Sequence, residues 1–175
     1  TISLTGKVVD VNGNAINGAV ITKAGDASIH TVSNASGDFT LSGLPSGTPF
    51  SININKEGYV SVFSASINST SNIESLRPYK LFTPEQIASW GIQESKGVIN
   101  GVVADINNPS MGLSGATLTA TGNGGKSYTV TYESVPYHFG GTATSNNGHY
   151  YVLNVDDMDT VVVSVTVSIS STFST

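Results

Sequence analysis

Polar and apolar residues alternate with period two along most of this chain, and β-branched residues fill the apolar positions, as in Ser51-Ile52-Asn53-Ile54-Asn55 and Val161-Val162-Val163-Ser164-Val165-Thr166-Val167. Such alternation is the mark of strands with one buried face. It predicts strands over residues 2–11, 17–24, 28–33, 38–42, 49–56 and 60–68, and again over 97–106, 115–122, 126–133, 142–145, 149–155 and 160–170. Turn-forming pairs separate them: Asn12-Gly13, Asn17-Gly18, Gly25-Asp26, Ser36-Gly37 and Glu57-Gly58. Short strands with a turn about every ten residues predict a sandwich or a barrel.

One stretch breaks the alternation. Leu81-Phe82-Thr83-Pro84-Glu85-Gln86-Ile87-Ala88-Ser89-Trp90-Gly91 carries a helix signature, with Thr83 as N-cap, Pro84 at the first helical position and Gln86 placed to close a capping box. Gly91 supplies a left-handed exit. A helix over 83–90 is too short to stand alone. It must dock, and Phe82, Ile87 and Trp90 form the domain-packing face it offers. Residues 71–95 are therefore read as an ordered connector.

The strands before and after that connector share a signature. Gly6-Lys7-Val8-Val9-Asp10-Val11-Asn12-Gly13, Gly18-Ala19-Val20-Ile21 and Ser36-Gly37-Asp38-Phe39-Thr40-Leu41 return as Gly101-Val102-Val103-Ala104-Asp105-Ile106-Asn107, Gly115-Ala116-Thr117-Leu118 and Asn147-Gly148-His149-Tyr150-Tyr151-Val152. A repeat of this length means two related domains. The expected fold is all-β: two tandem Greek-key β-sandwich domains, of transthyretin-like or immunoglobulin-like type, joined by a short capped helix. The first repeat spans 1–70 and the second 96–175, the latter with an insertion at 123–141 and a long terminal strand.

The order of elements in the first copy, continued through Leu44-Pro45-Ser46-Gly47 and closed by Lys56-Glu57-Gly58-Tyr59, resembles the carboxypeptidase regulatory-like domain, a transthyretin-like β-sandwich. The second copy matches at both ends, but Asp156-Asp157-Met158-Asp159 replaces the Pro-x-Gly turn and no Gly-Tyr closure follows. The resemblance implies a non-catalytic accessory role, as on secreted peptidases, outer-membrane receptors and bacterial surface proteins.

Composition narrows the partners. Charged residues are 11% of 175, against about a quarter in ordinary soluble domains. The net charge of −5 with scattered lysines argues against nucleic acid, and no segment has the ~20 apolar residues of a membrane span. There is no cysteine, so neither disulfides nor thiolate metal sites can staple two small domains. Their extra stability must come from each other or from neighbouring chains. A chain that starts at Thr1 is read as a processed product or a fragment, placed outside the cell or on its surface after signal removal.

No arrangement of His30, His138 and His149 has metal-protease spacing, and no nucleophile elbow or phosphate loop is present, so the expectation is a non-enzyme without cofactor. Asp10, Asn12 and Asn14 echo a calcium loop but lack its glutamate, which favours a hairpin turn. Asp156, Asp157 and Asp159 crowd three carboxylates into one turn, which requires either full solvation or a hard cation such as calcium. Asn34 and Asn68 fit the glycosylation pattern, as chance would supply in so polar a chain.

Two features point to association. Phase-matching to the first repeat turns Tyr151 and Leu153 outward, where the insertion bearing Tyr128 and Tyr132, a neighbouring subunit, or a polysaccharide stacked on the tyrosines could cover them. The terminal strand carries one apolar phase through Val167 and Ile169 to Phe173, beyond what a sandwich needs. Strand addition to a neighbour, through that end or through Ile2 and Leu4, would bury it. The leading expectation is a structural subunit or coat of a self-assembling surface filament, partnered by itself or by another surface protein. The alternative is a carbohydrate- or protein-binding module of a larger secreted protein.

Overall fold

A computed structural model describes residues 1–135, 138–157 and 159–167, without the side chains of Val135 and His138. The chain divides into two compact units, Thr1–Trp90 and Gly91–Thr175. Ile169, Phe173 and the end of the expected terminal strand lie outside the described residues.

In the first unit β1 (Ile2–Val9) pairs antiparallel with β4 (Asp38–Leu44), and β2 (Val20–Lys23) lies between β3 (Asp26–Val32) and β5 (Ile52–Asn55). The inward phase of these strands makes the core of an all-β sandwich: Leu4, Val8, Ile21, Leu41, Ile52 and Ile54 are fully buried. Two further strands, β7 (Ile73–Glu74) and β8 (Tyr79–Lys80), join the free side of β1 in parallel. Leu81 and Phe82 are buried, Leu81 within this same core. Residues 71–90, expected as connector, thus belong to the first unit, because their apolar side chains complete its core. The expected strand 60–68 shrinks to β6 (Val62–Phe63), which pairs with β5, and an isolated bridge between Phe50 and Ile67.

The helix α1 runs Pro84–Ser89 with Thr83 as N-cap, and its capping box is complete: the Gln86 N–H donates to Thr83 Oγ1 (3.3 Å) and the Thr83 N–H to Gln86 Oε1 (2.8 Å). Trp90 and Ile87 are each partly buried, the Trp90 ring edge-on to Phe82 at 4.9 Å. No described helix is long and apolar enough to cross a membrane.

The second unit repeats the plan with one strand shared between its sheets. β9 (Gly97–Val102) pairs with β15 (His149–Val155), and β12 (Ala116–Thr121) with β16 (Val162–Val167). β13 (Ser127–Val135) starts against β12 and continues against β15, so it links the two sheets. The expected strand 97–106 stops at Val102 and is followed by a hairpin of β10 (Ala104–Asp105) and β11 (Asn108–Gly112). The expected strand 142–145 is absent. A strand forms instead just before it, β14 (His138–Gly141), at the end of the insertion, while Thr144 has another task.

That task is a buried hydroxyl clamp, present in both units. Ser33 Oγ accepts from the Ala19 N–H (2.9 Å) and donates to the Ile16 carbonyl (2.7 Å). Thr144 Oγ1 accepts from the Ala116 N–H (2.9 Å) and donates to the Leu113 carbonyl (2.7 Å). The main chain around each hydroxyl is also the same: Gly18 and Gly115 donate to the clamp residue's carbonyl, and Val8 and Val103 donate to Gly37 and Gly148. Those two glycines have φ of +79° and +70°, and a Cβ on either would stand 2.4 or 2.1 Å from the carbonyl oxygen of Val8 or Val103. Only glycine fits there.

Removing either hydroxyl leaves a buried N–H and a buried carbonyl without that partner. Ser33→Ala and Thr144→Val should each cost about 1–3 kcal/mol, read as a lowered urea midpoint for the unit concerned. Midpoints unchanged from the parent would show that the hydroxyls are dispensable.

Candidate interaction surface

The acidic turn of the second unit is occupied by the protein's own donors. Asp156 Oδ1 takes the Lys96 ammonium at 2.6 Å and its other oxygen takes Lys126. The Tyr128 hydroxyl donates to Asp159, which also accepts the Asn123 N–H at 2.8 Å. Lys126 lies 5.0 Å above the Tyr128 ring. Lys126 and then Lys96 hold the Asp156 carboxyl well below the usual range, and the Tyr128 hydroxyl does the same for Asp159. The hydrogen bond to Asp159 in turn pushes the Tyr128 hydroxyl up to about 12. Asp157 stays exposed. A calcium ion here would have to displace two lysines, and among the described residues no three His, Asp or Glu side chains are grouped to hold a metal.

The Asp10 loop is a turn held from within: its carboxylate accepts from the Asn12 and Asn14 N–H groups, both at 2.8 Å. Asn34 is used likewise, accepting from the Ser36 and Asp38 N–H groups. Asn68 is exposed. His30 faces the Ala27 carbonyl at 3.1 Å, and His149 pairs with Glu133. His138 belongs to β14, its side chain outside the description.

Glu133 is a buried carboxylate that sequence reasoning passed over. Its partners are His149 Nδ1 (2.9 Å), Asn147 Nδ2 (3.0 Å) and the Tyr151 hydroxyl (3.4 Å). Tyr151 itself is buried, with Phe139 of β14 edge-on at 4.7 Å. The insertion therefore covers the tyrosine that phase-matching turned outward. Tyr132 is buried too, its hydroxyl receiving the Leu118 N–H at 2.6 Å, and so is Tyr128. These three tyrosines, taken as interface candidates, are internal, because each hydroxyl has a partner inside the unit. Leu153 is half-buried on β15, a central strand. Ile2 and Leu4 are likewise core residues of β1, which has strands on both sides, so they cannot be donated to a neighbour.

Among the association candidates that leaves Val167 and its strand. The hydroxyl clamps align Ala19 with Ala116, hence Ile21 with Leu118. Ile21 lies opposite Ile54 and Leu118 opposite Val165, so Ile54 and Val165 hold the same place in the two units. Ile54 is 0% exposed, yet Val165 is 48% exposed. The difference has a visible cause. In the first unit β6 pairs with the outer edge of β5, and Tyr59, Val62 and Ile67 pack onto the core. Among the described residues no strand pairs with the outer edge of β16. The sequence signal for this was the missing Gly-Tyr closure.

Comparison with known proteins finds that residues 3–74, in the first unit, match the model of the carboxypeptidase regulatory-like domain. A chain of a type II cohesin–X-dockerin complex from Acetivibrio cellulolyticus matches 47% of this chain and 58% of its own length, with 16% identity and a TM-score of 0.40. The chain thus spans less than two thirds of that relative. The shaft pilin SpaA from Lactobacillus rhamnosus GG matches over 96% of this chain and 88% of its own, with 12% identity and a TM-score of 0.32. No curated protein matches.

The acidic turn gives a pH test. Asp156 and Asp159 have folded-state values below the ordinary 3.8, so their contribution is complete above that pH and is lost as pH falls through the depressed values. Melting of the second unit should therefore weaken below about pH 4, and Asp156→Asn should remove part of that acid dependence. Millimolar Ca²⁺ should leave the same melt unchanged, whereas a Tm that climbs with Ca²⁺ concentration would show a metal displacing the lysines.

Proposed function

We propose that this chain is a non-catalytic structural protein of the cell surface or extracellular space, a subunit of a self-assembling filament held by sheet-edge contacts. One observation carries the reading: among the described residues no strand lies on the outer edge of β16, at positions whose counterparts in the first unit are sealed. Natural sheets blunt their edges with lysine, proline, bulges or covering segments. From Thr160 to Thr175 this sequence has no charged residue, proline or glycine. The edge is built for pairing.

The low charge and the carboxypeptidase regulatory-like first unit support a protein–protein role. The reading as a carbohydrate-binding module loses its carriers, since Tyr128, Tyr132 and Tyr151 are buried.

The test is the mass of the full chain. Light scattering over a rising concentration series, followed by negative-stain imaging, should show assemblies that grow with concentration. Val167→Lys, which puts a charge on the open edge, should shift them toward monomer while the melting curve stays that of the parent. A particle of one chain mass at every concentration would overturn the proposal.

A further inference from the structure

Resting on that reading, we infer that the strand completing β16 is β16 of a second copy, paired antiparallel across a two-fold axis through Val165.

The first unit states what the edge requires. There the missing strand is β6, and it runs antiparallel to β5, with Asn53 opposite Phe63 and Ile54 opposite Val62. The partner of β16 must run antiparallel as well and must present apolar side chains on the core side. β16 meets both conditions for itself. Val163, Val165 and Val167 share the face that carries Ala120, Leu118 and Ala116 on β12, while Ser164 and Thr166 share the other. In an antiparallel pair, directly opposed residues point to the same face. A two-fold at Val165 sets Val165 against its own copy and Val163 against Val167, so valine meets valine. On the other face Ser164 meets Thr166, hydroxyl against hydroxyl.

The remaining exposures fit. Val165 and Val167, at 48% and 41% exposed, are the valines of the core-facing phase that such a partner would cover. Val163, farther back along the strand, is already half-buried against the unit's own core. No charge on β16 opposes the approach of an identical strand. Ile2 and Leu4, the other strand end considered for donation, are held inside the first unit.

The contact is isologous, so by itself it closes into a dimer. A filament would use that dimer as its unit and would need a second, different contact between dimers.

Because the chain has no cysteine, introduced thiols report the geometry without background. Val165→Cys places two sulfur atoms directly across the axis, where opposed Cβ atoms are about 4.5–5.5 Å apart, close enough to bridge with a small shift. Thr166→Cys does not, since its copy is displaced two residues along the strand, about 7 Å, beyond disulfide reach. Under mild oxidation of the full-length chain at equal thiol exposure, Val165→Cys should give covalent dimer on the order of tenfold more than Thr166→Cys. Val163→Cys mixed with Val167→Cys should give the heterodimer in preference to either homodimer. Equal cross-linking at 165 and 166 in a chain that still assembles would overturn the two-fold pairing and leave the assembly reading in place. A chain that neither cross-links nor assembles would overturn both.

Discussion

A single buried hydroxyl in each unit holds the two layers in register. Ser33 and Thr144 stand where one strand has left its sheet and the next has not begun, a point at which main-chain groups would otherwise be buried without partners. Each hydroxyl accepts from one N–H and donates to one carbonyl of the segment entering β2 or β12. The positive-φ glycine that follows lies so close to Val8 or Val103 that no side chain fits. The two units repeat this junction bond for bond.

The same scaffold then meets two different surroundings. The first unit spends residues 57–82 on sealing itself: β6 closes one sheet edge, β7 and β8 close the other, and Leu81 plugs the core. The second unit spends its extra length on the β13–β14 hairpin, which brings Phe139 onto Tyr151 beside the buried Glu133 pair with His149. Among the described residues, nothing pairs with the outer edge of β16. A domain of this size gains little margin from its own core, and an open apolar edge lowers that margin until something covers it.

Internal polar networks take up most of the chemistry-bearing residues that the sequence singled out in the second unit. Of the carboxylates crowded in sequence at 156–159, Asp156 is paired with Lys96 and Lys126, which are distant in the chain and adjacent in the fold, and Asp159 takes the Tyr128 hydroxyl. The tyrosines that could have stacked on a sugar give their hydroxyls to Asp159, Glu133 and the Leu118 main chain.

The sequence alone determined the all-β class, the tandem repeat, the capped helix and the resemblance of the first unit to the carboxypeptidase regulatory-like domain, because each rests on local rules: alternation, turn residues, an N-cap and a signature in one stretch of chain. It also marked the terminal strand as unusual. Tertiary structure decided the rest. Whether 71–90 is connector or core depends on what Leu81 packs against, which no local pattern records. Tyr151 looked outward because a sheet with one wet face was assumed; β14 covers that face. Ser33 and Thr144 read as ordinary polar residues, since a hydroxyl reveals its role only when a neighbouring segment brings an N–H and a carbonyl to it. The open edge of β16 was visible only by setting one unit's burial against the other's, for an edge is a property of which strands are absent.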